Sequence, residues 1–282
     1  LAESRTKVKF GPYEPEYKAF LETANKWFEE GLLDPDFATN DRKAFEAKIT
    51  SEQAGAFYNY SSSITQFTNA VKPANPNFAL VGVPYPVEKK GDMAAMGQFS
   101  SMVRTGNYAH ITTANKHLKE TAMWLDYAYS EEGNLLFNFG IENDSYTMVN
   151  DYPQYTDKIM KDPVGISEAL AVYVFSGPFI TDPRYFEQTL SDPSQKEANS
   201  IWAKTKAREN ILPPLTPSTE DSGRLATIMG EVNTYCDEMF LKFIYGQEPI
   251  ENFDQYIAQL KKMAVEEAIA LQQEALDAFN KR

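Results

Sequence analysis

The sequence has one cysteine, Cys236, and two histidines, His110 and His117. A lone thiol excludes an internal disulfide, and so few imidazoles leave no Cys/His cluster for zinc. No run of about 18 apolar residues occurs, so no segment reads as a membrane-spanning helix. The opening Leu1-Ala2-Glu3-Ser4-Arg5 has no initiator Met and no apolar signal core, so the chain is expected to be the inside of a longer protein. Neither Gly-x-x-x-x-Gly-Lys nor Gly-x-Gly-x-x-Gly is present, which removes the common phosphate loops. No Gly-x-Ser-x-Gly elbow occurs either. Positive charge is scarce: 27 Lys and Arg against 40 Asp and Glu leave a net charge of −13. Such a surface repels phosphate backbones, so nucleic acid is not an expected partner.

What is plentiful is aromatic side chains, with 16 Tyr and 18 Phe. They serve core packing or, in loops, stacking against sugar rings. Cys236 sits among helical residues and reads as a small buried hydrophobe. Asp34-Pro35-Asp36 and Glu142-Asn143-Asp144 offer paired oxygens, but neither has the spacing of a calcium loop, and turn chemistry explains both.

Helical periodicity predicts a helix from about Pro15 to Glu30, stopped by Gly31. Asp41 is placed to cap a second, carrying Ala44, Phe45 and Ile49. Gln53–Tyr60 reads as a strand running into Ser61-Ser62-Ser63, where a helix with Ile64, Phe67 and Val71 begins. Phe78–Val83 suits a buried strand, and Met93–Arg104 and Ala109–Thr113 read as two more, turned at Gly106-Asn107. The stripe Leu118, Ala122, Leu125 and Tyr129 marks a helix broken at Ser130–Gly133, followed by a helix from Asn134 to Phe139. Residues 153–210 read as short helices joined by Pro-containing turns. Ile211–Pro217 is a rigid connector. Ser218 or Thr219 caps a helix ending at Tyr245 and Gly246, and a last helix runs from Asn252 or Asp254 to Phe279.

Three loops hold the candidate ligand-binding residues. Tyr58, Asn59 and Tyr60 end a strand beside three serines; a tyrosine face stacks on a pyranose while hydroxyls and amides bond its oxygens. Glu142, Asn143 and Tyr146 follow a helix stop and place acceptors beside a ring.

The order of several segments resembles the C-terminal half of family 1 extracellular solute-binding proteins, the maltose-binding-protein-like receptors of ABC importers, and especially their large lipoprotein-type oligosaccharide-binding members. The likeness is carried by Trp27–Asp36, by Ala54–Tyr60, by Ala122–Gly133, by Tyr146–Asn150, by Leu215–Glu220 and by the two closing helices. It implies a helix-rich α/β, two-lobed class II periplasmic-binding-protein-like fold with its N-terminal part missing and a ligand cleft between lobes. Residues 1–97 would open the C-terminal lobe, 98–192 return to the N-terminal lobe, and 193–282 close the C-terminal lobe, with hinges near Gly97-Gln98 and Asp192-Pro193. The family's loop before the penultimate helix adds Ser218, Thr219 and Glu220 to the candidates. The implied function is an extracytoplasmic receptor, periplasmic or a cell-surface lipoprotein whose anchor lies outside this chain. It would deliver a carbohydrate to ABC permease subunits as a monomer, with no catalytic residue, cofactor or metal. A non-sugar solute, or a carbohydrate-active enzyme with a carboxylate pair, are the alternatives. The acidic charge leans towards neutral or cationic glycans over uronates.

Overall fold

The computed structural model describes residues 2–3, 5–97, 107–163, 166–173, 177–190 and 192–281. Contacts divide the chain into two compact units: unit 1 holds residues 1–57, 85–97 and 204–282, and unit 2 holds 58–84 and 98–203. The division expected from sequence runs after residues 97 and 192 instead. Segment 58–84 groups with unit 2 because it meets the helix at Pro193–Trp202: Asn199 Nδ2 donates to Ser61 Oγ (3.2 Å) and Trp202 Nε1 to Val83 O (2.9 Å). Gln98 of the expected first hinge lies outside the described residues, and Asp192 of the second caps that helix, accepting from Ser194 N at 2.8 Å.

The helices follow local signals. In chain order they are α1 (Glu16–Glu29), α2 (Arg42–Thr50), α3 (Ser62–Val71), α4 (Leu118–Tyr127), α5 (Glu131–Phe139), α6 (Asp157–Met160), α7 (Ile166–Ala171), α8 (Pro183–Thr189), α9 (Pro193–Trp202), α10 (Ala207–Asn210), α11 (Thr219–Ile244), α12 (Phe253–Lys262) and α13 (Val265–Asn280). Asp41 caps α2 by accepting from Ala44 N (2.8 Å), as its position predicts. Gly31 and Gly246 take φ of +70° and +68° just beyond α1 and α11. The single closing helix expected from sequence is two, because Ala264 adopts a left-handed φ of +62° between α12 and α13.

Strands are sparse among the described residues. β1 (Ala2–Glu3) pairs antiparallel with β2 (Lys7–Val8), and β3 (Tyr146–Val149) with β4 (Tyr152–Tyr155). The second hairpin was not expected; Asn150 and Asp151, both at positive φ (52° and 60°), supply its two-residue turn. The strands expected at Gln53–Tyr60, Phe78–Val83 and Ala109–Thr113 form no ladder among the described residues. The stretch Met93–Gly97 likewise forms no ladder, though Ala94 O accepts from Lys206 N and Ala95 O from Asn210 Nδ2, both at 2.8 Å; 98–104, with the turn residue Gly106, lies outside the described residues. A strand exists only by hydrogen bonding to a neighbour, which a local pattern does not supply.

Unit 1 is a helical core. Leu21 of α1, Val232, Cys236 and Phe243 of α11, Tyr256 and Leu260 of α12, and Val265 of α13 are buried together. Asn25 Nδ2 donates to Ile244 O (3.0 Å), tying α1 to the end of α11. Gln273 of α13 finishes β2, accepting from Val8 N and donating to Thr6 O, both at 2.8 Å. Unit 2 gathers Phe139, Tyr146, Tyr155, Ile159 and Leu170 around the β3–β4 hairpin.

Burial in unit 1 lifts the Tyr17 phenol from 10.0 to about 12, with negative charge from Cys236 and Asp237 adding to it, and raises Tyr256 as well. An unfolded tyrosine ionises near pH 10, so the stability these neutral phenols lend is whole below pH 10 and declines as pH climbs towards 12. Thermal unfolding followed by circular dichroism is expected to hold a steady midpoint to about pH 10 and drop beyond it. Tyr17→Phe flattens that drop; equal slopes in both proteins would remove the phenol as its cause.

Candidate functional site

Phe57, the last residue of unit 1 before the chain passes on, stands edge-on to Phe45 of α2 (5.9 Å, 82°). From that anchor the chain presents Tyr58 and Tyr60, which are 85 % and 83 % exposed. Asn59 between them is half-buried, and its Oδ1 accepts from Tyr60 N (2.8 Å). α3 begins immediately after, its apolar face (Ile64, Phe67, Val71) buried. Both phenol rings are therefore open rather than packed, with rigid helix behind them. An exposed aromatic pair at the mouth of an ordered helix has the geometry to stack on a sugar ring.

The second loop has a different character. Asn143 takes a left-handed φ of +64°, and its N–H donates to Tyr146 O (2.7 Å). Ser145 is buried; its hydroxyl donates to Phe139 O and accepts from Ile141 N, both at 2.7 Å. These bonds aim Tyr146 inward, where it is 5 % exposed, lies 5.9 Å from the Phe139 ring and pairs with Tyr155 across the hairpin. Burial, and then the Glu142 charge, raise its phenol pKa. Tyr146 is thus a core residue and offers no stacking face; the loop reading missed that it opens a strand. Glu142 and Asn143 stay exposed beside it. Asp144 closes on Lys158 (2.7 Å), whose ammonium is pushed up to about 12 by that bond and by Tyr173.

The third group lies in unit 1. Ser218 caps α11: its hydroxyl accepts from Asp221 N (3.1 Å) and donates to Asp221 Oδ2 (2.6 Å). With its proton committed, Ser218 is a cap first. Thr219 and Glu220 are exposed in the first turn. The structure places the first two loops in unit 2 and this one in unit 1.

The acidic turn at Asp34 is self-contained. Asp34 takes Lys48 Nζ at 2.7 and 2.9 Å, Asn40 Nδ2 at 2.7 Å and Asp36 N at 3.0 Å, and Lys48 also bonds Asp36 (2.9 Å). The Lys48 bond, followed by the Asp36 N–H, holds the Asp34 carboxyl below its ordinary range. No group of three or more His, Cys, Asp and Glu poised for a metal occurs among the described residues. No helix among them is long and apolar enough to cross a membrane. Sequence reasoning passed over Trp124, which is 71 % exposed on α4; its apolar neighbours made that helix look like core.

No protein-family profile matches the chain. Its curated relatives include the fructooligosaccharide ABC transporter substrate-binding protein FusA of Streptococcus pneumoniae, 19 % identical over 97 % of this chain and 51 % of its own length. Lipoprotein LipO of Bacillus subtilis is 25 % identical over 88 % of this chain and 48 % of its own. An uncharacterized protein in the butB 5′ region of Niallia circulans is 20 % identical, spanning 86 % of this chain and 92 % of its own. Among solved structures, the alginate-binding protein AlgQ2 without calcium ion superposes with a TM-score of 0.75 at 23 % identity, over 96 % of this chain and 57 % of that one. FusA in complex with kestose superposes at 0.68 and 18 % identity, over 99 % and 57 %. The chain spans about half the length of FusA and LipO. It has the helix-rich fold of these two-lobed solute-binding proteins, and its named relatives are a substrate-binding protein and a lipoprotein, as the sequence resemblance implied.

Proposed function

We propose that this chain is the C-terminal part of an extracytoplasmic receptor that hands an oligosaccharide to the permease subunits of an ABC importer. The observation that carries the reading is the fold match at a TM-score of 0.75 to an alginate-binding protein, joined by a match at 0.68 to a kestose complex. The open rings of Tyr58 and Tyr60 support it, with Asn59, Glu142, Asn143, Thr219 and Glu220 as polar partners for sugar hydroxyls. A monomeric state and a cell-surface or periplasmic site belong to the same reading. So does the lack of a chemical step: binding and release are all that delivery requires.

The test is calorimetry with neutral fructo-oligosaccharides and with uronate oligomers, on this chain and on the longer polypeptide encoded with it. One glycan class is expected to bind, and Tyr60→Ala to weaken it about tenfold through loss of a stacked ring. Indifference to every glycan ends the sugar reading. Shortened products in the chromatogram would make the protein a hydrolase.

A further inference from the structure

Unit 1 turns a strip of aromatic side chains to solvent along α1 and α11. Phe20 and Trp27 of α1 are 50 % and 45 % exposed. Two helical turns separate them, so they share a face and stand about 10 Å apart along the axis. Two neighbours hold the Phe20 ring: Tyr17 lies 5.7 Å away at 27° and Phe240 of α11 lies 6.4 Å away at 11°. Tyr17 and Phe240 are half-buried over the core of Leu21, Cys236 and Phe243. The strip is thus fixed by packing from below and open above.

Planar polar groups border it. Asn233 and Asp237 precede Phe240 by two turns and one turn of α11, which places them on its face, and both are exposed. Neither side chain makes a hydrogen bond or ion pair with another described residue. Asp237 is close enough to Tyr17 to add, after burial and Cys236, to the raised pKa of that phenol. Open rings beside an unpaired amide and carboxylate suit a sugar: the apolar face of a pyranose stacks on the ring, and its hydroxyls bond the planar groups. The interval between Phe20 and Trp27 is the span of two linked pyranose rings. Glu16, one turn before Phe20, is also exposed, so the edge is acidic and repels uronates and anionic lipid.

We propose that this strip is a second carbohydrate site, which takes successive residues of a linear, neutral glycan chain. It is separate from the loop at Ser218, because α11 carries Phe240 about 33 Å along its axis from that cap. The proposal goes beyond the receptor reading, since it concerns capture of a polymer and not delivery of a solute.

The test is affinity electrophoresis of the full natural polypeptide in native gels containing soluble xylan, galactomannan or mixed-linkage β-glucan, with alginate as the uronate control. Every protein carries Tyr60→Ala, so that the Tyr60 loop contributes little. At least one neutral polymer is expected to retard the Tyr60→Ala protein, and alginate to leave it free. Adding Phe20→Ala and Trp27→Ala is expected to weaken retention at least about tenfold. Asn233→Ala, at an exposed position that leaves the core intact, is expected to weaken it about threefold, and this decides the matter if the ring variant fails to fold. Free migration in all three neutral polymers overturns the proposal. So does retention that survives these substitutions, equal retention by alginate, or a dimer in native mass spectrometry that the ring substitutions dissociate. Calorimetry with short oligosaccharides on the parent keeps the two readings apart. A protein that binds none of them, yet is retarded through Phe20 and Trp27, loses the receptor reading and keeps this site. One that binds them through Tyr60, yet migrates freely in every gel, loses only this site.

Discussion

Tyr256→Ala is expected to lower the stability of unit 1 by about 3–5 kcal/mol, the range for removing a large ring from a packed core. Tyr256 is 2 % exposed at the meeting point of α1, α11 and α12. Its ring lies 5.7 Å from Tyr235, 5.8 Å from Phe243, 5.5 Å from Phe253 and 6.5 Å from Tyr17. Its hydroxyl donates to Pro12 O (3.0 Å) and meets Cys236 Sγ at 3.3 Å. Truncation therefore opens a cavity ringed by aromatics and strands a backbone carbonyl. Tyr256→Phe separates the two effects: the ring stays, Pro12 O loses its donor, and the expected loss is only about 1–2 kcal/mol. Urea denaturation of the three proteins, with hydrogen exchange on α11 and α12, reads both changes. Equal losses for Ala and Phe would mean that the hydroxyl, and not the ring, holds the core together.

The contrast between these helices and the strands shows what the sequence could disclose. A cap is written within a few residues: Asp41 reaches Ala44 N, and Ser218 reaches Asp221 N, so both helix starts were visible. The buried face of α3, with Ile64, Phe67 and Val71, was visible through its period. Ala264 was not, because a left-handed alanine carries no Gly or Pro to announce it; the surrounding packing of α12 and α13 imposes it. Phe78–Val83 reads as a strand by composition, yet strand pairing depends on residues far away in sequence. The site divides in the same way. Exposed, helix-backed Tyr58 and Tyr60 were legible as loop aromatics at a strand-like end. Tyr146, taken for the same thing, is aimed inward by the bonds of Asn143 and Ser145 and opens a strand paired with Tyr155, none of which the loop reading weighed.

Gly133→Ala is expected to cost at least about 3 kcal/mol in unit 2, far beyond an ordinary substitution in a helix. Sequence patterning treats Gly133 as the residue that breaks the helical period, but it sits inside the first turn of α5 and is buried. A Cβ there would stand 1.8 Å from the backbone oxygen of Tyr127, the last residue of α4. That oxygen is no loose end. It accepts the Ser130 hydroxyl (2.7 Å) and the Ser130 N–H (3.0 Å), and the same hydroxyl accepts from Gly133 N (3.0 Å). One methyl group therefore strikes the joint between α4 and α5, displacing the cap of one helix and the end of the other. Gly223 in α11 is the control: it is also helical, but nothing lies within 4 Å of its Cβ position. Gly223→Ala is expected to stabilise unit 1 by about 0.5–1 kcal/mol, since alanine loses less backbone freedom on folding. The two substitutions are chemically identical, so opposite signs in urea denaturation assign the Gly133 loss to close approach. A Gly133→Ala protein as stable as the parent would mean that α4 shifts freely on α5.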